Sequence, residues 1–172
     1  MSRNLIIYFS RRGQNYYNNE ITFLEKGNSE KLAEFISDIT GADMFEIRTV
    51  KEYPADYREC TEAARKELQQ NARPRLEEYL GSARGYDNIF IVGPCWWGTY
   101  PMAVFTQLEQ IDFTGKKVFP VMTHEGSGLG SAERDLKRTC KGAKIVRGLA
   151  VQGSRIEESE QSVRDWVRKY LK

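Results

Sequence analysis

Histidine is almost absent from these 172 residues: His124 stands alone. A His-based metal site or a two-histidine mechanism therefore has almost nothing to work with. The cysteines are equally uninformative as chemistry. Cys60, Cys95 and Cys140 are odd in number and far apart, with no Cys-x-x-Cys pair, which argues against both a metal cluster and a disulfide framework. No apolar run approaches the roughly 18 residues of a membrane span. Met1–Asn4 leads straight into a strand candidate with no cleavage-type segment, so the expectation is a cytoplasmic protein without a membrane partner. An excess of one charge is missing too. The 26 basic and 24 acidic residues are interspersed and leave a net +2, which makes nucleic acid a poor partner. No repeat, low-complexity tract or linker divides the chain, so residues 1–172 read as one domain.

What the sequence does contain is alternation. Asn4–Phe9 is a continuous apolar run, as expected of a strand buried on both faces. Leu32, Phe35, Ile36 and Ile39 follow at i, i+3, i+4, i+7, one face of a helix that Gly41 stops. Ala42–Ile47 reads as a second strand. Residues Pro54–Leu80 read as a long helical region broken at Arg73-Pro74. Ile89–Gly93 is the clearest buried strand, and Pro101 opens a helix with Val104, Leu108 and Ile111 on its apolar face. Lys117–Met122 and Ala143–Val151 supply a fourth and a fifth strand. Val163, Trp166, Val167 and Tyr170 mark a last amphipathic helix. The pattern predicts an α/β fold, a three-layer α/β/α sandwich around a five-stranded parallel sheet. Pro120 lies inside the fourth strand, where its missing N–H predicts a bulge or irregular pairing.

Ligands of such sheets bind beyond the carboxyl ends of the strands, and three loops there are unusual. The first is Ser10-Arg11-Arg12-Gly13-Gln14-Asn15, separated by the stretch Gln14–Lys26 from a helix start with Asn28 or Ser29 as N-cap. If that stretch loops out, Ser10, Asn28 and Ser29 converge on one phosphate at the helix N-terminus; otherwise this is a capped helix after a surface loop. The second is Gly93-Pro94-Cys95-Trp96-Trp97-Gly98-Thr99-Tyr100-Pro101. Adjacent tryptophans in a rigid turn point different ways, so both cannot enter one core. Either a flat aromatic ligand stacks on one ring, with Gly98 and Thr99 N–H groups reaching its heteroatoms, or one ring packs beneath the loop and the other is exposed. Cys95 reads as a small lining residue. The third loop is Thr123-His124-Glu125-Gly126-Ser127-Gly128-Leu129-Gly130, whose alternate glycines let backbone approach a ligand closely. His124 either bonds within this loop or borders the same pocket.

Together these loops resemble the flavodoxin-like proteins, in particular the branch that carries Pro-x-Trp-Trp-Gly after strand three and Thr-His-Glu-Gly-Ser-Gly after strand four. Here those motifs are Pro94–Gly98 and Thr123–Gly128, and Tyr8–Gly13 is similar to the family's opening strand and phosphate loop. The resemblance implies strand order 2-1-3-4-5 and flavin mononucleotide (FMN) as cofactor. It places the phosphate at Ser10, Asn28 and Ser29, with Arg11 nearby. It places the flavin ring between Pro94, Cys95, Trp96, Trp97, Gly98 and Thr99 on one side and Thr123, His124, Glu125, Gly126 and Gly128 on the other. A carboxylate at Glu125, if near the ring, would lower its potential. The implied role is electron transfer with a redox partner protein or a small-molecule acceptor, as monomer or homodimer. An NAD(P)H-dependent quinone or azo reductase, or a non-redox binding module, are the alternatives on this fold.

Overall fold

A computed structural model describes residues 2–172. The chain runs β1 (Asn4–Tyr8), β2 (Gly13–Tyr17), β3 (Glu20–Leu24), α1 (Asn28–Thr40), β4 (Asp43–Glu46), α2 (Tyr57–Gln69), β5 (Asn88–Pro94), α3 (Met102–Leu108), β6 (Lys117–His124), α4 (Ala132–Thr139), β7 (Lys144–Ile145), β8 (Leu149–Gln152), a 3-10 turn (Gly153–Glu158) and α5 (Glu160–Tyr170). The main sheet is parallel throughout, in the order β4-β1-β5-β6 with β7 and β8 both on the far side of β6. With the β2–β3 hairpin set aside, this is the expected 2-1-3-4-5 order.

The period-2 geometry of the strands sorts their side chains into two cores. Leu5, Ile7, Ile89, Ile91, Val118 and Met122 face one way, against α3 and α4 through Ala103, Val104, Leu108, Ala132 and Leu136. Ile6, Tyr8, Phe90, Val92, Phe119 and Val121 face the other way, against Leu32, Ala33 and Ile36 of α1 and Val163, Trp166 and Val167 of α5. Each fully buried Ile, Leu or Phe among them contributes about 1.5–3 kcal/mol relative to exposure. This double-sided burial is why the strands read as unbroken apolar runs, and it makes the expected three-layer sandwich.

Pro120 disturbs the pairing as its missing N–H predicts. It keeps register with Ile91 of β5, but on the other side pairing with β7 stops at Val118↔Ile145 and resumes with β8 only at Val121↔Leu149. The expected fifth strand, Ala143–Val151, is therefore two short pieces flanking Arg147 and Gly148.

Two expectations are corrected. The stretch Gln14–Lys26 is not a loop but most of an antiparallel hairpin, Gly13–Tyr17 against Glu20–Leu24. Its turn residues Asn18 and Asn19 have φ 51 and 68, the left-handed pair that closes a two-residue hairpin. The helical region Pro54–Leu80 is only half helix: α2 ends at Gln69, and Asn71 at φ 50 turns the chain away. Beyond Pro74, Leu76 bridges Thr49 antiparallel, and the side chain of buried Gln107 holds both the N–H and the C=O of Leu80. The backbone there satisfies its polar groups outside any helix.

Candidate functional site

A cavity of about 490 Å³ opens at the carboxyl ends of β1, β5 and β6, the size of an ordinary small-molecule site. Its two ends differ in chemistry.

The polar end is the N-terminus of α1. Gly27, not Asn28 or Ser29, is the N-cap, and it carries no side chain to cap with. The capping oxygen comes from the far side of the hairpin: Ser10 Oγ accepts the Glu30 N–H at 3.1 Å. Glycine is required at 27 because a Cβ there would land on Ser10 Oγ and 2.6 Å from the Arg11 carbonyl oxygen. The loop after β1 and the first turn of α1 thus meet although the hairpin separates them in sequence. The first N–H groups of α1 have no intrahelical acceptor. Ser29 is buried, and its hydroxyl pairs with that of Thr123 at 2.8 Å, fixing α1 to the end of β6. Asn28 lines the cavity, and its buried Oδ1 has no partner among the described residues. Its amide packs on Gly153, where any Cβ would collide with it. Both arginines of the first loop are engaged by other groups, Arg12 by a carboxylate and Arg11 by neutral carbonyls. Arg11 lines the wall but donates to the carbonyls of Gln14 at 2.7 Å and of Pro54 and Ala55 at 3.0 Å each. Arg12 forks onto Glu30 at 3.1 Å.

The aromatic end resolves the tryptophan pair. Trp96 lines the cavity while packing edge-on against Phe9 and Tyr53, with ring centres 5.1 and 5.0 Å apart. Trp97, at φ 56, turns the opposite way and stays half exposed on the rim, its Nε1 donating to Thr61 O at 2.9 Å. One ring packs beneath the loop, the other borders the mouth, and both line the cavity. Pro94, Cys95 and Gly98 line it as well. Thr99 does not: it is buried and donates to Asp135 at 2.6 Å, and Ser131 donates its hydroxyl to the same carboxylate and its N–H to Gly98 O. The two loops touch at Gly130, where a Cβ would strike the Gly98 carbonyl.

In the third loop Thr123, His124, Glu125 and Ser127 line the cavity, whereas Gly126 and Gly128, at φ 148 and 65, turn the loop behind them. His124 Nδ1 accepts the Gly126 N–H at 2.8 Å, so the imidazole both bonds within its loop and faces the pocket. Burial holds it below its ordinary value, against a smaller upward pull from Glu125. Glu125 accepts from Ser154 at 2.9 Å, from Gln152 at 3.2 Å and from the Asn18 N–H at 3.4 Å, so the hairpin tip reaches the β6 loop.

The hairpin and α2 supply further wall residues, and those on α2 are the ones sequence reasoning missed. Tyr57, Cys60, Thr61 and Ala64 recur at i, i+3, i+4, i+7 on α2, a spacing that looks like any core-facing helix. Asn15 and Tyr16 come from the hairpin, with the Tyr16 ring stacked on Tyr57 at 6.2 Å and 30°. Gln14 ties hairpin to helix by accepting the Tyr57 N–H at 2.7 Å. Burial pushes the thiols of Cys60 and Cys95 up, so both are neutral lining groups and not nucleophiles.

No protein of curated function matches the sequence. Among solved structures, a Bacteroides uniformis protein described as a flavoprotein is 27% identical, with a TM-score of 0.75 over 97% of this chain and 98% of its own. Another, from Bacteroides eggerthii, is 23% identical with a TM-score of 0.75 over 100% and 99%. A Lactobacillus acidophilus flavoprotein solved in complex with FMN is 18% identical, with a TM-score of 0.64 over 92% and 98%. The sequence model of the family described as Flavodoxin matches residues 21–170. The chain belongs to the flavodoxin family.

Proposed function

We propose that this chain carries electrons on FMN held in the cavity between α1, α2 and the loops after β5 and β6. The observation that carries the reading is the cavity's polarity: a helix N-terminus with an orphaned buried amide oxygen at one end, an aromatic slot at the other. The residues fit the group. The first N–H groups of α1 suit a phosphate without a cation. Asn28 Oδ1 lacks a donor that a ribityl hydroxyl provides, and the same amide turned over offers its NH₂ to phosphate. Gly27 leaves the space into which both halves of the phosphate loop must fit. Trp96, Trp97, Tyr16 and Tyr57 supply faces and edges for a flat ring.

FMN, when bound, supplies the one- and two-electron chemistry. The protein's part is to hold and tune it. The Asn28 and Ser29 N–H groups anchor the phosphate, and the Ser29–Thr123 bond keeps that anchor rigid against the sheet. The aromatic rings exclude water from the ring faces, while Trp97 and Glu125 on the rim leave an edge open to an acceptor, either a redox protein or a small molecule. Glu125, being acidic, disfavours added negative charge nearby.

The visible spectrum of the purified protein tests this. A flavin spectrum, with FMN and not FAD released on denaturation, is the expected result; a colourless protein that takes up no added FMN overturns it. One feature supports a second reading, an NAD(P)H-dependent reductase: Tyr16 stacked on Tyr57 forms a wall suited to a flat substrate. NADH oxidation with a quinone and no partner reductase distinguishes the two, since turnover belongs to the enzyme.

A further inference from the structure

Behind Trp96 lies an arrangement that binding alone does not require. Trp96 lines the cavity, and the half-buried ring of Tyr53 meets it edge-on at 5.0 Å. Phe9 closes the group, edge-on at 5.1 Å from Trp96 and 6.0 Å from Tyr53. The Tyr53 hydroxyl donates to Glu67 Oε1 at 2.6 Å, a short charge-assisted bond. Tyr53 lies on the segment between β4 and α2, and Glu67 near the carboxyl end of α2. Burial raises the affinity of both groups for a proton, of Tyr53 strongly and of Glu67 against the opposing pull of their hydrogen bond. A phenol of raised proton affinity does not ionise at neutral pH, but it loses a proton readily once it loses an electron, and here a base already holds that proton.

We propose that Trp96, Tyr53 and Glu67 form a redox relay, in which Tyr53 is a proton-coupled electron donor to the flavin pocket through Trp96. The inference rests on FMN occupying the cavity. When light excites the oxidised flavin, one electron passes from the Trp96 ring to the flavin. Tyr53 then refills Trp96 with one electron and gives its hydroxyl proton to the Glu67 carboxylate. The result is a flavin reduced by one electron, a neutral Tyr53 radical and a protonated Glu67. Recombination returns the electron from flavin to Tyr53 and the proton from Glu67, so nothing is consumed. The relay removes oxidising equivalents from the ring that lines the cavity to a residue that does not.

Flash spectroscopy of the FMN-loaded protein tests the relay. In the wild type a tryptophan radical is expected first, giving way to a neutral tyrosyl radical in a step slowed by deuterium oxide. Tyr53→Phe keeps the ring and abolishes the tyrosyl signal that grows in as the tryptophan radical decays, leaving that radical to recombine; any prompt signal from Tyr16 or Tyr57 on the cavity wall is unchanged. Glu67→Gln keeps a hydrogen-bond acceptor but removes the base, and slows the tyrosyl-forming step about a hundredfold, the low end of what a positioned base supplies. FMN affinity, read separately by titration, stays within the wild-type range in both variants. A wild type that shows only the tryptophan radical, a tyrosyl signal that still grows in as the tryptophan radical decays in Tyr53→Phe, or a Glu67→Gln step as fast as the wild type overturns the relay while FMN binding stands. A protein that takes up no FMN overturns both.

Discussion

The two ends of the cavity are built on different terms. At the polar end short side chains lock together across long stretches of sequence: Ser10 caps α1 at Glu30, Ser29 meets Thr123, and Gly27 admits the contact by having no Cβ. At the aromatic end large rings lean on one another with few polar ties, and Trp97 is held by one hydrogen bond while 52% of its surface stays exposed. The first end specifies position and tolerates no added atom. The second supplies area and access, and tolerates change. Buried polar pairs are costly when half made, whereas an exposed ring loses little when trimmed.

The contrast sets the order of expected effects. Gly27→Ala drives a methyl into Ser10 Oγ and the Arg11 carbonyl; FMN affinity, followed by fluorescence titration of the apoprotein, should fall at least about a hundredfold, roughly 2.7 kcal/mol. A Gly27→Ala variant with wild-type affinity would break the comparison outright. Ser29→Ala strands the buried Thr123 hydroxyl and should cost about 1–3 kcal/mol in urea unfolding. The double change with Thr123→Val sharpens the point, because removing both partners should recover much of that loss. Glu125→Gln removes a carboxylate from the cavity wall and should raise the flavin midpoint in a redox titration by on the order of 30 mV; an unmoved midpoint takes Glu125 out of the account. Trp97→Phe loses only the bond to Thr61 and should cost less than about 1 kcal/mol of stability, yet weaken FMN several-fold if the ring is a contact. His124 gives the smallest effect. Its folded form resists protonation, so the unfolded chain takes up the proton first. Its contribution is therefore complete above the ordinary value of 6.5 and declines as pH falls below that, until the folded protein is protonated too. Denaturation across that range should show a slope that His124→Gln flattens.

Much of this was legible in the sequence because burial on both faces leaves a strong mark. β1, β5 and β6 announce themselves as apolar runs, and α1 and α5 as apolar stripes. At the polar end Ser10, Asn28 and Ser29 were also readable from their place between strand and helix, whereas the N-cap at Gly27 was not. The hairpin was not, although its sign was there: Asn18-Asn19 between Tyr16-Tyr17 and Glu20–Phe23 is a two-residue turn between β-favouring stretches. A polar, half-exposed ribbon has weak alternation, so the turn residues were its only signal. The α2 wall was hidden for the opposite reason. Tyr57, Cys60, Thr61 and Ala64 have the spacing of a core stripe, and no local property separates a stripe that faces a cavity from one that faces packed side chains.

The proline in β6 reaches beyond its own strand. Because it splits the neighbouring segment, the sheet ends on that side in pieces of two and four residues, Lys144–Ile145 and Leu149–Gln152, with residues 146–148 between them. A further strand from another molecule finds no continuous row of N–H and C=O groups to add to, and lysine and arginine flank the interruption. One ring in the interior of a sheet thereby guards its margin against edge-to-edge aggregation.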